Sequence, residues 1–439
     1  MLHQPLAFGP ELRRLRIAAG FTLSRLAASV HYSKGQLSKI ENGHKRATVD
    51  FARMCDAVLE ADGRLAALVS PKPGPRGTGT PLDQTGPDMR HHTRTASGRD
   101  RPREPEPPSR RHVMALGAAS MLTVTPAPGA IPLASATPRP DTTGDVSLAA
   151  QDLFVQFRRM GQLSPPGTLL PVLAEQTRAL SDLAAQCTDR TRSRLMYLAA
   201  RHAEFAGWMA QESGSDGTAE EWTQHAVRLA QEAGDRELAG YAHTRSALIN
   251  YYRGDAADTV AMASRALSAS LPSRIRGLAA QHQAQGHALA GEYSACMRHL
   301  DRARSLLDTD QPGPEALRLG ATHLEDPITM ITGWCLLDLG RSREAAAVLD
   351  EACERLPAHA QRTRARYGVR RALAHARSGE VERACALARE LLPAIRITDS
   401  ATIRLDLRRL SRTLGRFRSV PAVSALSPDL TAVLHTSAH

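Results

Sequence analysis

The first 70 residues contain short segments in which apolar residues recur three or four positions apart, separated by polar ones. Two adjacent segments carry Leu23, Leu26 and Ala27, then Leu37 and Ile40. This spacing is typical of amphipathic helices, and the residues that precede the two segments, Thr22 and Ser33, are favoured helix N-caps. Gln36 stands three residues after Ser33, as in a capping box. The pattern predicts two short helices joined by a tight corner.

Three further helices are expected around this pair. They span 10–19, 49–59 and 64–69, the second of them behind Thr48 as its N-cap. In the first, Leu12, Leu15 and Ile17 are expected to face inward. The sequence therefore predicts a five-helix domain over residues 8–69.

The outer face of the second helix of the pair, 33–42, is polar and basic. A rigid corner behind an exposed polar helix is what a protein needs to present a helix to a DNA groove. Lysine side chains suit phosphates, whereas glutamine, serine and asparagine side chains can reach base edges. Double-stranded DNA is therefore the predicted partner. The predicted DNA-contacting residues are Arg13, Thr22, Ser33, Lys34, Gln36, Ser38, Lys39, Asn42, His44, Lys45 and Arg46.

Residues 8–69 resemble the helix-turn-helix domain of the lambda-repressor-like, xenobiotic-response-element (XRE) family. The matching positions are Leu12 to Arg16, Gly20, Thr22, Leu23, Leu26, Ala27, Ser33, Leu37, Ser38, Ile40, Glu41, Asn42 and Gly43. Two positions depart from the family: His31 stands at the inter-helix corner, where glycine is usual, and Ala47 stands where a proline is common. The resemblance implies that Glu41 braces the domain through Arg13 or Arg16 and does not contact DNA.

Composition indicates a mostly helical chain that is basic at one end. Aromatic residues make up 4% of the 439 residues, while alanine and leucine, which favour helices, are abundant. The formal net charge is +11; residues 1–140 hold 20 basic and 11 acidic residues, against 36 and 34 in the remainder. The basic surplus thus lies toward the predicted DNA-binding end. Arginine outnumbers lysine 52 to 4, which is typical of GC-rich coding DNA and indicates an actinobacterial source.

Residues 70–143 are rich in proline, glycine and arginine and cannot build a core, so a disordered linker is predicted there. Within it, segment 109–136 contains paired arginines, an apolar stretch at 112–124 and a later Ala-x-Ala, and it resembles a twin-arginine export signal. Three interpretations stay open: an export or membrane segment, a weakly helical part of the linker, or a latch that docks on a folded domain. The apolar stretch is too short to span a bilayer of about 30 Å.

From about residue 144 to 417 the chain repeats itself. Glycines separate successive amphipathic patterns at positions 217, 254, 291, 340 and 379, and a small residue precedes each glycine by seven positions. These repeats resemble the tetratricopeptide repeat, a helix-turn-helix unit of about 34 residues that stacks into an α-solenoid. Residues 418–439 are predicted to be a disordered tail.

The tetratricopeptide resemblance implies a groove lined by the first helix of each pair. Such a groove binds a peptide, a small molecule or a protein partner. The groove residues expected from the family's pattern are Tyr241, Thr244, Tyr251, Gln281, Gln285, Trp334 and Arg366. Ordinary packing between repeats is the alternative for each of them.

The remaining residues give no indication of a redox site, a metal site or a catalytic site. The six cysteines form no Cys-x-x-Cys pair and are predicted to be reduced in the cytoplasm. The sequence has no metal-ligand spacing, nucleophile–base set or nucleotide loop, so no metal, cofactor or enzymatic activity is expected.

We interpret the sequence as an all-α transcription regulator, a cytoplasmic homodimer on a two-fold DNA site, with a tetratricopeptide-like sensor. The alternative is a signalling adaptor that uses the groove and carries a vestigial helix-turn-helix.

Overall fold

The computed structural model describes residues 7–69 and 140–435, apart from 269, 311–317 and 322–323. In these residues all regular secondary structure is helical, which confirms the predicted all-α fold class. The predicted linker 70–143, with its apolar segment 112–124, lies outside the described residues as far as 139; a helix already begins at Pro140. Every helix within the described ranges is too short or too polar to cross a lipid bilayer.

The N-terminal domain is the predicted bundle of five helices. They are α1 (Phe8–Ala18), α2 (Leu23–Ser29), α3 (Lys34–Glu41), α4 (Val49–Leu59) and α5 (Arg64–Ala67). The fully buried centre of the bundle includes Leu12, Leu26, Leu37, Phe51 and Leu65. The inward orientation predicted for Ile17 is wrong, since its side chain is 59% exposed. Two positions along a helix turn the chain by about 200°, so Ile17 faces away when Leu15 faces the core.

The helical region, residues 140–435, begins with α6 (Pro140–Met160) and α7 (Pro166–Ala185) and continues as pairs of consecutive helices. The pairs are α8 (Asp189–Ser213) with α9 (Asp216–Glu232), α10 (Glu237–Arg253) with α11 (Ala256–Arg265), α12 (Ser273–Ala290) with α13 (Tyr293–Asp308), α14 (Pro327–Asp338) with α15 (Ser342–Glu354), α16 (Gln361–Arg377) with α17 (Val381–Thr398), and α18 (Ala401–Leu414) with α19 (Pro421–His435). From α10 onward, the first helix of each pair contacts the first helix of the next. The arrangement is a solenoid, as predicted.

Four of the pairs turn at a predicted glycine with left-handed backbone. These turns are at Gly254 (φ 81°), Gly291 (φ 86°), Gly340 (φ 82°) and Gly379 (φ 91°). A residue with a side chain is strained at such angles, which is why the repeat period appears as a glycine period. In the first pair, however, Gly217 lies inside α9 and Gly214 (φ 92°) makes the turn. Since α8 ends at Ser213, the glycine directly after it takes the left-handed position.

The prediction of a disordered tail is wrong for residues 421–435, which form α19. Its apolar residues recur at three- and four-residue spacing and are buried, and the helix packs on α17 and α18. The last pair of a stacked array exposes an apolar face unless a further helix covers it, and α19 covers this one. The buried residues of α19 are Val423, Leu426, Leu430 and Val433.

The first and last pairs of the stack meet, because α18 also contacts α8. The fully buried carboxylate of Glu212, on α8, accepts hydrogen bonds from Arg362 Nη1 (3.0 Å), Ser400 Oγ (2.7 Å) and Thr402 Oγ1 (3.0 Å). It also pairs with Arg366. Burial alone would raise the pKa of Glu212, but the two guanidinium groups and the two hydroxyls outweigh burial and lower this pKa to about 2.

The end of α6 completes the closure. Arg362 donates from Nε to the carbonyl oxygen of Gly161 (2.7 Å) and from Nη2 to that of Ser164 (2.5 Å). The side-chain oxygen of Gln162 accepts hydrogen bonds from the backbone N–H (3.2 Å) and the hydroxyl (3.0 Å) of Thr363. The segment after α6 is therefore fixed between α8 and α16.

We predict that Glu212→Ala lowers the free energy of unfolding by about 3–5 kcal/mol, because it leaves two buried guanidinium groups without their counter-charge. Urea unfolding measures the loss. The matched control is Glu175→Ala, which removes an exposed pair with Arg178 and should cost less than about 1 kcal/mol.

The contribution of Glu212 should also depend on pH. Its folded-state pKa is about 2 and its ordinary value is 4.5, so the stabilisation is complete above pH 4.5 and is lost as the pH falls toward 2. In that window the stability difference between wild type and Glu212→Ala should shrink. A difference that is constant from pH 6 to pH 2 contradicts the role of the ionised carboxylate.

Candidate functional site

The corner between α2 and α3 is built by local hydrogen bonds. The hydroxyl oxygens of Thr22 and Ser33 accept hydrogen bonds from the backbone N–H groups of Arg25 (3.1 Å) and Gln36 (3.2 Å), so both residues are N-caps, as predicted. His31 has φ 52° and occupies the left-handed region, at the position where the family that the sequence resembles usually has glycine. The direction in which α3 leaves α2 is therefore fixed by backbone geometry.

Glu41 braces the N-terminal domain from within. Arg16 donates from Nε to Glu41 Oε1 (2.6 Å) and from Nη2 to Oε2 (3.1 Å), and its Nη1 donates to the carbonyl oxygen of Phe21 (2.8 Å). Of the two predicted partners of Glu41, the structure places Arg16 there, while Arg13 is exposed on the surface. A bidentate pair of this kind fixes the end of α3 against α1.

The candidate DNA-contacting side chains lie on the surface of the N-terminal domain. Ser38 is half-buried, and its hydroxyl oxygen lies 3.4 Å from the donor Nδ2 of Asn42. Within the described residues no ion pair involves the basic side chains of α3 or of the following loop, so their charges are available to phosphates. The exposed residues of the set are Arg13, Thr22, Ser33, Lys34, Gln36, Lys39, Asn42, His44, Lys45 and Arg46.

The N-terminal domain and the helical region pack as one compact unit. Asp50, at the start of α4, accepts from Arg377 Nη2 (2.8 Å) and lies 3.8 Å from Arg409 Nη2. Burial alone would raise the pKa of Asp50, but these guanidinium groups outweigh burial and lower it to about 2. Sequence reasoning missed this carboxylate, because its spacing within α4 is that of an ordinary first-turn aspartate.

Two further polar contacts join α4 and the turn that follows it to the helical region. The guanidinium group of Arg53 donates to the carbonyl oxygen of Leu289. The side chain of Asp62 accepts a hydrogen bond of 3.0 Å from the backbone N–H of Tyr293. Both partners lie beside the turn at Gly291, so the contact is with the end of a repeat.

Three repeat turns together form the docking surface for the N-terminal domain. They are the turns at Gly291, Gly340 and Gly379. A Cβ atom added at Gly340 would lie 2.6 Å from the carbonyl carbon of Arg53. One added at Gly63 would lie 3.0 Å from the carbonyl oxygen of Gly291, and one at Gly379 would lie 2.7 Å from the ring of His31. The turn glycines therefore also permit the close approach of a second domain.

The corner residue His31 is part of the contact with the docking surface. The ring of His31 packs on Gly379, and its carbonyl oxygen accepts a hydrogen bond from Arg416. The guanidinium carbon of Arg416 also lies 3.9 Å from the ring centroid of Tyr32. Burial and the charges of Arg416 and Arg343 lower the pKa of His31, which favours an uncharged imidazole at neutral pH.

A cavity of about 740 Å³, the central cavity, lies between the first helices of the pairs. Of the seven predicted groove residues, Tyr251 alone is not part of the cavity wall. Its side chain is buried behind Trp334. Arg158, Arg159 and Gln162 of the α6 segment also line the cavity, and the repeat pattern missed them because this segment precedes the repeats. The predicted groove residues that the wall brings together are Tyr241, Thr244, Gln281, Gln285, Trp334 and Arg366.

Two buried arginines of the wall were also missed, Arg201 and Arg245. Arg245 lies two positions before the small residue Ala247, and the repeat pattern does not count that position among the groove residues. No spacing signal in the sequence separates these arginines from the many exposed ones. Only the positions of α8 and α10 bring both to the cavity.

A chain of hydrogen bonds that ends in an ion pair runs from the cavity wall to the docking surface. Trp334 Nε1 donates to the hydroxyl of Tyr251, which in turn donates to Asp338. The other carboxylate oxygen of Asp338 accepts from Arg409 Nη2 (2.9 Å), the same nitrogen that lies 3.8 Å from Asp50. All of these side chains except Asp50 are largely buried, so the polar interactions within the chain are strong.

Comparison with known proteins identifies the N-terminal part of this arrangement. Residues 7–69 match the family model of a helix-turn-helix domain. The N-terminal domain is a helix-turn-helix domain. Such a domain supports a DNA-binding regulator, in agreement with the exposed polar and basic side chains of α3. No curated protein and no solved structure matches the chain.

We predict that Gly340→Ala loosens the docking of the helix-turn-helix domain, because the new methyl group would overlap the backbone of Arg53. Overpacking of this kind costs about 1–3 kcal/mol. Hydrogen exchange of the α4 amides, measured by mass spectrometry on the intact chain, should become faster. Gly254→Ala is the matched control: its φ is almost the same, but its Cβ would meet no atom within 4 Å. Equal exchange rates of α4 in the two variants would rule out the docking surface.

Proposed function

We propose that this chain is a sequence-specific transcription regulator of the XRE type, which inserts α3 into the major groove of DNA. The observation that carries the proposal is the exposed face of α3 in a matched helix-turn-helix domain. Lys34 and Lys39 would contact phosphates, while Gln36 and Asn42 would read base edges. Two copies of the chain would bind a two-fold site as a homodimer.

The docked arrangement is compatible with DNA binding. The contacts with the helical region come from α4, from the corner residues His31 and Tyr32, and from the turn at Asp62 and Gly63. They do not involve Lys34, Gln36, Lys39 or the loop 42–46, whose side chains are exposed. The helical region would therefore set the placement of the DNA-binding domain without covering its reading face.

We predict that Gln36→Ala changes base preference, whereas Lys39→Ala weakens binding to all sequences and lowers the slope of log affinity against log salt by about 1. Both substitutions are on exposed positions of one helix, so each controls for the folding of the other. The measurement is fluorescence anisotropy on duplexes selected from random DNA by the wild-type chain. Unchanged affinity and preference in both variants would refute the docking of α3, and would favour the signalling adaptor.

The helical region would act as a tetratricopeptide-like sensor. A ligand in the central cavity would contact Trp334, whose hydrogen bonds lead through Tyr251 and Asp338 to Arg409. Arg409 in turn forms an ion pair with Asp50 of the helix-turn-helix domain. A ligand that prefers one arrangement of these contacts would shift the docking of the helix-turn-helix domain and the affinity of that domain for DNA. Couplings between sites of this kind are typically about 5- to 150-fold.

We predict that DNA binding changes the fluorescence of Trp334, because coupling between two sites is reciprocal. The difference between wild type and Trp334→Phe isolates this signal. Asp50→Asn should retain at least part of the DNA affinity but remove the Trp334 response, since it removes the charge that faces Arg377 and Arg409. Asp301→Asn, an exposed position on α13, is the control and should keep the response. A Trp334 response that persists in Asp50→Asn argues against the hydrogen-bond chain as the route.

A further inference from the structure

The central cavity is lined by buried hydrogen-bond donors that have no acceptor in the described part of the chain. Arg201, which is 1% exposed, has Nε and Nη1 without a hydrogen bond. Arg245 is 6% exposed and lacks a partner for Nε, and Gln285 is 1% exposed and lacks one for Nε2. Buried polar groups are nearly always hydrogen-bonded, so donors from α8, α10 and α12 around one cavity indicate a site for an acceptor.

The charge around these donors indicates an anion with a single charge. Among the described residues that line the cavity, Glu204 is the one carboxylate. Its oxygens lie 3.9 Å from Arg201 Nη1 and 3.9 Å from Arg245 Nε, beyond hydrogen-bond distance. Arg201 and Arg245 share this carboxylate, so the donor cluster itself carries a net charge of one. Four more arginines line the cavity: Arg274 and Arg366 pair with Asp310 and Glu212, Arg158 donates to two backbone carbonyl groups, and Arg159 is exposed. A carboxylate would balance that charge, whereas a phosphate dianion would exceed it.

Gln285 supplies a neutral donor beside the charged ones. Its Oε1 lies 2.7 Å from His282 Nδ1. Burial lowers the pKa of His282 to about 4, so the imidazole is neutral at neutral pH and donates from Nδ1 to this oxygen. The amide is thereby oriented with Nε2 as the group that remains to donate. His282, Arg245 and Gln285 all line the same cavity, and the guanidinium charge of Arg245 adds to the lowering of the His282 pKa.

The rest of the wall suits an apolar body of limited size. A cavity of about 740 Å³ is within the range of about 300–1,000 Å³ found for small-molecule sites. The stack is also closed by Glu212 and by the segment after α6, which favours a small molecule over an extended peptide. The apolar and aromatic residues of the wall include Phe205, Trp208, Leu278, Ile331, Trp334 and Tyr367.

We propose that the central cavity binds a small organic monocarboxylate with an apolar body, whose carboxylate accepts hydrogen bonds from Arg201, Arg245 and Gln285. The apolar body lies against Trp208 and Trp334. This inference rests on the proposed sensing function and names the chemical class of its ligand. Because Trp334 begins the hydrogen-bond chain to Asp50, an occupant of the cavity contacts that chain directly.

The test uses the intact chain with Trp222→Phe, which removes the one tryptophan of the three that does not line the cavity. Tryptophan fluorescence is titrated with octanoate, octyl phosphate, 1-octanol and octylammonium, which share one apolar body. Octanoate should bind at least about tenfold more tightly than 1-octanol, since a hydrogen bond to a charged group is stronger than a neutral one. The same margin is expected over octyl phosphate, whose dianion exceeds the net charge of the donor cluster, and over octylammonium, which the guanidinium groups repel. Equal affinities for octanoate and 1-octanol, or tighter binding of octyl phosphate, would overturn the proposal.

A charge substitution sharpens the test. Gln285→Glu replaces the free donor with an acceptor of nearly the same shape, so octanoate should bind at least about tenfold more weakly while octylammonium binds no more weakly than before. Gln231→Glu, an exposed position on α9, is the control and should leave both affinities unchanged. Unaltered octanoate binding in Gln285→Glu contradicts the proposal. If that variant fails to fold, the four probes on the parent chain decide alone.

The outcome is independent of DNA. Failure of octanoate to bind overturns the ligand class and leaves the DNA-binding proposal to be judged by Gln36→Ala and Lys39→Ala. Selective octanoate binding by a chain that does not bind DNA would support the ligand class and refute the proposed function.

Discussion

The buried carboxylate of Glu212 is the contact on which the rest of the helical region depends. It joins α8 to α16 and α18 and balances two guanidinium groups, which would otherwise be buried without a counter-charge. Because Arg362 also binds the segment after α6, this one cluster holds both ends of the stack. An open array of helix pairs would present a groove, whereas the closed one surrounds a cavity. The successive packing of α14, α16 and α18 positions the residues between the cavity and the docking surface.

The turn glycines serve two purposes that have the same physical basis. Their left-handed backbone ends one helix and starts the next, and the missing side chain lets another backbone approach. The helix-turn-helix domain uses the second property at Gly340 and Gly379. Its corner residue, His31, stands where glycine is usual in the family that the sequence resembles, and its imidazole makes a contact with the helical region that glycine would lack. A position that is unusual within one domain is thus accounted for by its contact with another.

Most local features of the chain could be predicted from the sequence. The spacing of apolar residues and the N-caps Thr22 and Ser33 located α2 and α3 correctly, because both signals act within a few residues. The glycine period located four repeat turns for the same reason. The errors have local causes too: Ile17 is out of phase with Leu15, and Gly217 lies one turn too late. The tail was misjudged because its apolar stripe is stabilised by α17 and α18, which are distant in sequence.

The sequence by itself determined most of the helices, their order along the chain and the polar character of α3, since these follow from rules of spacing and capping. Only the tertiary structure decided which faces meet. Asp50 and Arg377 are 327 positions apart, and Glu212 and Ser400 are 188 apart, so no periodic pattern relates them. Periodicity indicates that a side chain such as Arg245 is buried, but its chemical role depends on what lies opposite. That is decided by closure of the stack, which brings donors from α8, α10 and α12 around one cavity.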